Sequence, residues 1–256
     1  MVRYGAVKDE PEVVTADPDG PKMWSQNLVV YYETDPDIIA SVLPRPLEAT
    51  EPHVRINFGQ VDMPDGTPLG AGTFSVKCRH GDIEGCYDLL MIMTTEGAVL
   101  GGRETFGEPK KIGQASLRHT DGEVVGLLSR KGIDIIEVRG RVAETLEPEP
   151  LNERFAFYYK FLLDPAGGRF DGDPSLVHVR RTQEDRMRER IEGEVILRES
   201  PFDPVADLPV RRVISMIYTE SNQTQTGAIV GTVPGEWVWP YRHQRYDGMI
   251  ARLQPA

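Results

Sequence analysis

The feature that most constrains this chain is its rhythm of short β-forming runs broken by turn residues. Leu28 to Tyr32 is a β-branched and aromatic run, a composition that suits a pleated, half-buried surface. Val54 to Phe58 is a second. Thr73 to Cys78 and Tyr87 to Thr94 flank a turn-rich segment at 80–85 and read as a hairpin. Glu123–Ser129 and Ile133–Val142 read as another, around Arg130-Lys131-Gly132. Leu176–Arg180, Glu192–Arg198 and Arg212–Thr219 complete the set, and residues 62–72 and 165–174 read as Gly/Pro-rich loops. Helical signals are few. Thr34-Asp35-Pro36 offers a capping residue and a helix-starting proline, Ile38, Ile39, Val42 and Leu43 share one face, and Pro44 ends the segment. The stretch 151–163 is the other helix candidate, although its aromatics also suit a strand. Many short strands with two or three helices predict a mainly-β (α+β) fold around a closed or nearly closed antiparallel sheet.

Composition sets the outer limits. With 256 residues and 39% apolar, the chain can bury one sizeable core, and disorder is excluded. A net charge of -11 repels phosphate backbones and anionic membrane surfaces, so neither nucleic acid nor membrane is an expected partner. The two cysteines, Cys78 and Cys86, read as ordinary thiols rather than a disulfide framework. The five histidines are scattered, so no metal site is expected. The first residues lack an apolar core of the signal-peptide kind and no stretch approaches 18 uninterrupted apolar residues, which predicts a soluble, cytoplasmic protein. Residues 1–22 are polar and Pro/Gly-rich; they read as an arm that orders against a neighbouring subunit of a homo-oligomer, with 23–256 as a single domain.

The segment that carries chemistry is Gly101-Gly102-Arg103-Glu104-Thr105-Phe106-Gly107-Glu108-Pro109-Lys110-Lys111. Its glycines permit close approach or unusual dihedrals and Pro109 fixes φ ahead of a lysine pair, so the segment reads as a stiff loop able to carry a reactive side chain. Two adjacent lysines are ordinarily two solvated charges. The functional alternative is a nucleophilic amine. A free lysine titrates near ~10.4, so only a small fraction is the neutral amine at pH 7. Desolvation, or a second cation nearby, raises that fraction. The apolar segments Leu89 to Thr94 and Ala98-Val99-Leu100 are candidates for the dry wall. In an extended chain Lys110 and Lys111 point to opposite faces.

Gly-Arg-Glu, a short spacer and Pro-Lys-Lys resemble the Schiff-base signature of the acetoacetate decarboxylase-like superfamily, whose founding activity is a standard example of a lysine activated in this way. The resemblance extends in order through Asp37-Ile38 to Glu48, Glu51-Pro52-His53-Val54-Arg55, Glu84-Gly85-Cys86-Tyr87, and Asp203-Pro204 with Asp207 to Val210, covering roughly residues 24–220. It implies a cone-like antiparallel β-barrel, with Lys110 as the Schiff-base former, Lys111 as its neighbour, and no cofactor beyond that covalent link. The decarboxylases of the superfamily carry an arginine and two glutamates that align by eye near Ser25, Asn57 and Phe74; none of the three keeps its charge here.

A site without those charges can still form an iminium and an enamine, because the lysine supplies the electron sink. The favoured expectation is therefore a carbon–carbon lyase or synthase of the aldolase-dehydratase kind, condensing a pyruvate-type 2-oxo acid with an aldehyde. Decarboxylation of a 3-oxo acid and a non-catalytic binding module are the alternatives. Candidate acid–base groups are Glu104, Tyr241 and Tyr246. Arg103 is a supporting residue, Arg242 or Arg245 a replacement carboxylate clamp, and Asn57, Phe74 and Gln223 candidate substrate contacts.

Overall fold

The computed structural model describes residues 22–63 and 66–246. The expected N-terminal arm therefore lies, apart from Lys22, outside the described residues. In chain order the elements are β1 (Trp24–Glu33), α1 (Pro36–Val42), β2 (Glu48–Asp62), β3 (Pro68–His80), β4 (Ile83–Met93), α2 (Glu96–Phe106), β5 (Lys110–Ile112), β6 (Gln114–Thr120), β7 (Glu123–Arg130), β8 (Ile133–Leu146), β9 (Asn152–Lys160), β10 (Ser175–Leu197), β11 (Arg212–Thr232) and the single turn α3 (Gly235–Val238).

The strands form one sheet in the order β11-β1-β2-β3-β4-β9-β10-β8-β7-β6, and β10 also pairs with β11. That extra pairing closes a barrel of seven strands, β11-β1-β2-β3-β4-β9-β10. Closure removes the exposed edges that an open sheet of this size would leave. The expected antiparallel pattern holds around most of the wall, but β4 pairs in parallel with both β5 and β9.

β8, β7 and β6 continue the sheet from the far half of β10 and fold over the outside of the barrel. Two glycines allow this layer to approach. A Cβ on Gly72 of β3 would lie 2.2 Å from Leu128 Cδ2, and one on Gly126 of β7 would lie 2.7 Å from Phe58 Cγ. Leu28, Val30, Ile56, Phe58, Phe74, Val76, Ile92, Leu128 and Ile136 join in the main core between the two layers. β4 is apolar on both faces, as a strand covered on both sides should be: Leu90 and Ile92 enter the main core, while Met91 and Met93 enter a second cluster with Ala156, Tyr158, Val177 and Val179 inside the barrel. α2 closes that end of the barrel. Its Ala98, Val99 and Phe106 pack on the inner cluster, and Phe106 lies against Gly227 of β11, where a Cβ would come within 2.5 Å of the ring.

Several expectations are corrected. The 151–163 stretch is strand β9, not a helix; Phe157 and Tyr159 face the main core while Ala156 and Tyr158 face the barrel interior, a period-two burial no helix can produce. The 62–72 loop is shorter than expected, because β3 begins at Pro68. The runs at 176–180 and 192–198 are two ends of one 23-residue strand, β10. α1 starts at Pro36 as expected, but Asp35 makes no side-chain cap; its carboxylate accepts from Arg211 Nε and Nη2 instead (3.0 and 2.8 Å). The stiff loop before the lysines is, up to Phe106, helix α2. No helix among the described residues is long and apolar enough to cross a membrane.

Candidate active site

The turn out of α2 sets the site. Gly107 takes φ +79° at the helix C-terminus, a left-handed conformation that strains any residue with a Cβ. Its N–H donates to the Arg103 carbonyl (3.1 Å) and the Glu108 N–H to the Gly102 carbonyl (3.3 Å), the paired closure that commonly ends a helix. The chain then passes Pro109 and enters β5.

Register decides where the lysines point. Lys110 pairs with Met91 and Lys111 with Ile92, so Lys110 shares the inner face of Met91 and Lys111 the outer face of Ile92. The two lysines diverge, as alternation predicts. Lys111 is buried and ion-paired to Asp203 Oδ1 (2.8 Å), whose other oxygen meets Arg130 Nη1 (2.6 Å). A cavity of about 360 Å³ lies on that outer side, lined in part by Phe74, Lys111 and Asp203.

Lys110 is enclosed, with 13% of its side chain accessible, and its Nζ lies 2.8 Å from Oε2 of the wholly buried Glu108. The other Glu108 oxygen meets Arg181 Nη2 (2.8 Å), which also donates to the Tyr158 hydroxyl (3.0 Å). Tyr158 in turn donates to the Asp88 carboxylate. This makes a continuous chain from amine to carboxylate, guanidinium, phenol and second carboxylate. Burial pushes the Tyr158 phenol well above its ordinary range, so it stays protonated. Burial opposes the charge on Arg181, but Tyr158, Asp88 and Glu108 outweigh it and hold the guanidinium cationic.

α2 passes close over the amine. A Cβ on Gly102 would lie 2.6 Å from Lys110 Nζ, 2.5 Å from Lys110 Cδ and 2.3 Å from Glu108 Oε2. Any side chain there must displace the Lys110 amine and the Glu108 carboxylate. Arg103 braces the segment from behind by donating to the Lys110 carbonyl (3.4 Å).

The opposite wall is polar. Asn57 pairs with Thr73, and Thr73 with Met91, so these two face the interior in the same row as Lys110. Arg55, one pleat deeper, is buried and donates to Thr73 Oγ1 (3.3 Å) and Asn57 Oδ1 (3.5 Å). Arg154 donates to Gln223 Oε1 (3.1 Å), and Gln223 to Ser221 Oγ (3.2 Å). Asn27 donates to Ser25 Oγ and Ser221 Oγ (2.9 Å each). An enclosed amine, two carboxylates and a set of guanidinium, amide and hydroxyl donors suit a small anionic substrate that carries a carbonyl.

The acetoacetate decarboxylase family model matches residues 8–232. The chain belongs to the acetoacetate decarboxylase family. Acetoacetate decarboxylase 1 of Bradyrhizobium diazoefficiens is 28% identical over 220 residues, which are 81% of this chain and 85% of that protein. The crystal structure of acetoacetate decarboxylase from Legionella pneumophila superposes with a TM-score of 0.75 at 22% identity, over 87% of this chain and 92% of the other. The enduracididine biosynthesis enzyme MppR, solved in complex with pyruvate, superposes with a TM-score of 0.69 at 16% identity, over 86% and 94%; it has also been solved with the condensation product of pyruvate and imidazole 4-carboxaldehyde.

Within this family fold the expected site residues separate into two groups. Lys110, Asn57 and Gln223 face the barrel interior, and Arg103 supports the Lys110 segment. The others do not meet the amine. Glu104 is exposed on α2, two residues and so about 200° around the helix from the face that Gly102 presents. Phe74 is the outward neighbour of Thr73 and packs in the main core. Tyr241 lies behind the Lys110 segment with Tyr87, Tyr159, Gly107 and Pro109. Tyr246 packs on Phe161 and under the Arg103 guanidinium. Arg242 stacks over Trp239 and donates to its carbonyl (2.7 Å), and Arg245 donates to the Phe161 and Arg103 carbonyls (3.0 and 3.2 Å). Neither arginine clamps the interior. Lys111 touches Asp203 rather than the Lys110 amine.

The residue the sequence reading missed is Glu108. Its signal was present: the turn about Pro109 brings positions 108 and 110 to one side, away from Lys111. Arg55, Asp88, Arg154, Tyr158 and Arg181 were missed for a different reason. In strands flanked by other charged and aromatic residues, nothing local marks which alternate positions face inward.

Proposed function

We propose that this protein is a carbon–carbon lyase that condenses Lys110 with the carbonyl of a small oxo acid. The observation that carries this reading is the enclosed Lys110–Glu108 pair, 2.8 Å apart, at the inner end of a barrel of the decarboxylase family. Glu108 takes a proton from the ammonium, freeing the amine lone pair to attack the carbonyl carbon. The resulting carbinolamine loses its hydroxyl as water when Glu108 returns the proton, which leaves an iminium on Nζ. Arg55 holds the substrate carboxylate in place of the arginine absent at Ser25.

The favoured chemistry beyond the iminium is aldol condensation and dehydration of a pyruvate-type 2-oxo acid with an aldehyde. Loss of an α-proton turns the iminium into an enamine, whose carbon attacks the aldehyde; the new hydroxyl then leaves as water. Asn57, an amide where the aligned decarboxylases carry a glutamate, and the neighbouring Thr73 hydroxyl support this by offering hydrogen bonds to an incoming aldehyde oxygen. The fold neighbour MppR, solved in complex with pyruvate, supports an oxo acid of that size. A second reading, decarboxylation of a 3-oxo acid, is favoured by Asp88 and Glu108 inside the barrel and by the curated decarboxylase relatives.

The test is borohydride reduction with pyruvate and with acetoacetate in parallel, read by peptide mass spectrometry. An adduct mapped to residue 110 that is lost in Lys110→Ala supports the iminium. Equal trapping in that variant refutes it. Brisk carbon dioxide release from acetoacetate selects the second reading.

A further inference from the structure

The Lys110 end of the barrel consumes two interior carboxylates. Glu108 is shared by Lys110 and Arg181, and Asp88 accepts from Tyr158. Two further guanidiniums line the interior. The hydrogen-bond partners of Arg55 are Thr73 and Asn57, and that of Arg154 is Gln223, all of them neutral. Among the described residues neither arginine forms an ion pair with a carboxylate. The two lie close enough to oppose each other: burial first, and then the charges of Arg55 and Arg181, push Arg154 down to about 9. It is still a cation at neutral pH.

Four cations, Arg55, Arg154, Arg181 and Lys110, share the interior with Glu108 and Asp88 and, further along β10, with Asp185, which accepts from Gln183 (2.8 Å) and forms no ion pair with Arg55 or Arg154 among the described residues. The iminium keeps the charge at residue 110, so the surplus persists through the reaction. An enclosed guanidinium without a counter-ion is costly unless a ligand supplies one. A simple oxo acid brings one carboxylate, which leaves one of Arg55 and Arg154 without a carboxylate of its own. Arg154 also stands apart from the amine. It lies four residues along β9 from Tyr158 on the same face, roughly 13 Å of strand at ~3.3 Å per residue, a gap that the long Arg side chain shortens.

We infer that the substrate is a dicarboxylic oxo acid, with its carbonyl at Lys110, one carboxylate on Arg55 and the second, at the far end of the molecule, on Arg154. The position of the carbonyl rests on the iminium reading; the two-carboxylate pocket does not. The geometry explains why Gln223 and Ser221 are placed as they are: they orient the Arg154 fork without neutralising it.

Non-reactive acids test the pocket without any chemistry at Lys110. Calorimetric titration of the full chain with glutarate and adipate, against pentanoate and hexanoate, should show the dicarboxylates binding at least tenfold tighter. In Arg154→Met the two series should converge. Dicarboxylates that bind wild type no tighter than their monocarboxylate counterparts overturn the inference, and this comparison needs no variant. Cyanoborohydride trapping with 2-oxoglutarate and 2-oxopentanoate then addresses the amine separately. A half-saturating concentration at least tenfold lower for 2-oxoglutarate supports the whole arrangement. Tight dicarboxylate binding with no adduct at residue 110 leaves the pocket standing and removes the iminium. Equal trapping of both acids overturns the dicarboxylate assignment while sparing the iminium.

Discussion

Gly102→Ala separates the position of the Lys110 amine from the stability of the fold. The added methyl would sit 2.6 Å from Lys110 Nζ and 2.3 Å from Glu108 Oε2. Ordinary contact between heavy atoms is about 3.5–4.0 Å, so the amine must retreat by about 1 Å. The clashing atoms belong to the outer parts of two side chains, Lys110 from Cδ outward and the Glu108 carboxylate, which can move without displacing backbone. Alanine also favours the helix by about 1 kcal/mol over glycine, against an overpacking cost of about 1–3 kcal/mol. The net change in stability is therefore at most about 2 kcal/mol, a fall in Tm of no more than about 8 °C for a chain of this size. The reactive nitrogen bears the larger effect, because a misplacement of about 1 Å lowers rates on the order of 100-fold. Gly101→Ala is the matched control: a Cβ there meets nothing within 4 Å, so Tm should rise by about 2–4 °C with trapping unchanged. The assay is the rate of cyanoborohydride-trapped adduct with pyruvate by intact mass, alongside thermal unfolding. A folded Gly102→Ala protein that traps pyruvate within twofold of wild type would refute the claim that contact with α2 positions the amine.

Three further predictions follow from the same geometry. Glu108→Gln should slow adduct formation on the order of 100-fold by removing the proton acceptor, measured by single-turnover trapping; an unchanged rate rejects that role. Asp203→Asn removes the carboxylate that Lys111 and Arg130 share and should cost about 3–5 kcal/mol, on the order of 10 °C in Tm, while trapped adduct still maps to residue 110. His178 is held below its ordinary range by burial and by His80, whose Nδ1 lies 2.9 Å from its Nε2. The unfolded chain then binds this proton more readily than the folded one. The contribution is present above about pH 6.5 and is lost as pH falls through that value and the lower folded one. Tm measured from pH 7.5 to 5 should fall, and His178→Gln should flatten that window; identical slopes in the two proteins contradict it.

What could be read from the sequence depended on how many faces of each element are dry. Thr73–Cys78, Tyr87–Thr94 and the hairpin at 123–142 were legible because one face is buried and the turn residues are explicit. β10 read as two pieces because its middle, Arg180 to Glu189, is charged or polar at nearly every position. Its inward residues there, Arg181, Gln183 and Asp185, line a polar barrel interior, so alternation of hydrophobicity vanishes although alternation of direction does not. The polar run 221–225 was missed as strand for the same reason. α2 read as a loop because Gly97, Gly101 and Gly102 are poor helix formers. Tertiary packing of Ala98, Val99 and Phe106 over the barrel end outweighs that preference. Lys110 was legible from local spacing alone, whereas the Arg55–Arg154 wall joins strands about a hundred residues apart and required the closed sheet to assemble it.

β10 has one further consequence. Ser175–Gln183 are bonded to β9, Arg188–Leu197 to β8, and the opposite edge to β11 along Ser175–Arg190. A single stave therefore belongs to the chamber around the amine and to the blanket thrown over that chamber's flank. Neither can peel away while the other stays whole, so backbone amides of β8 should exchange with deuterium at the pace of those in β9, and a nick near residue 186 should release both together.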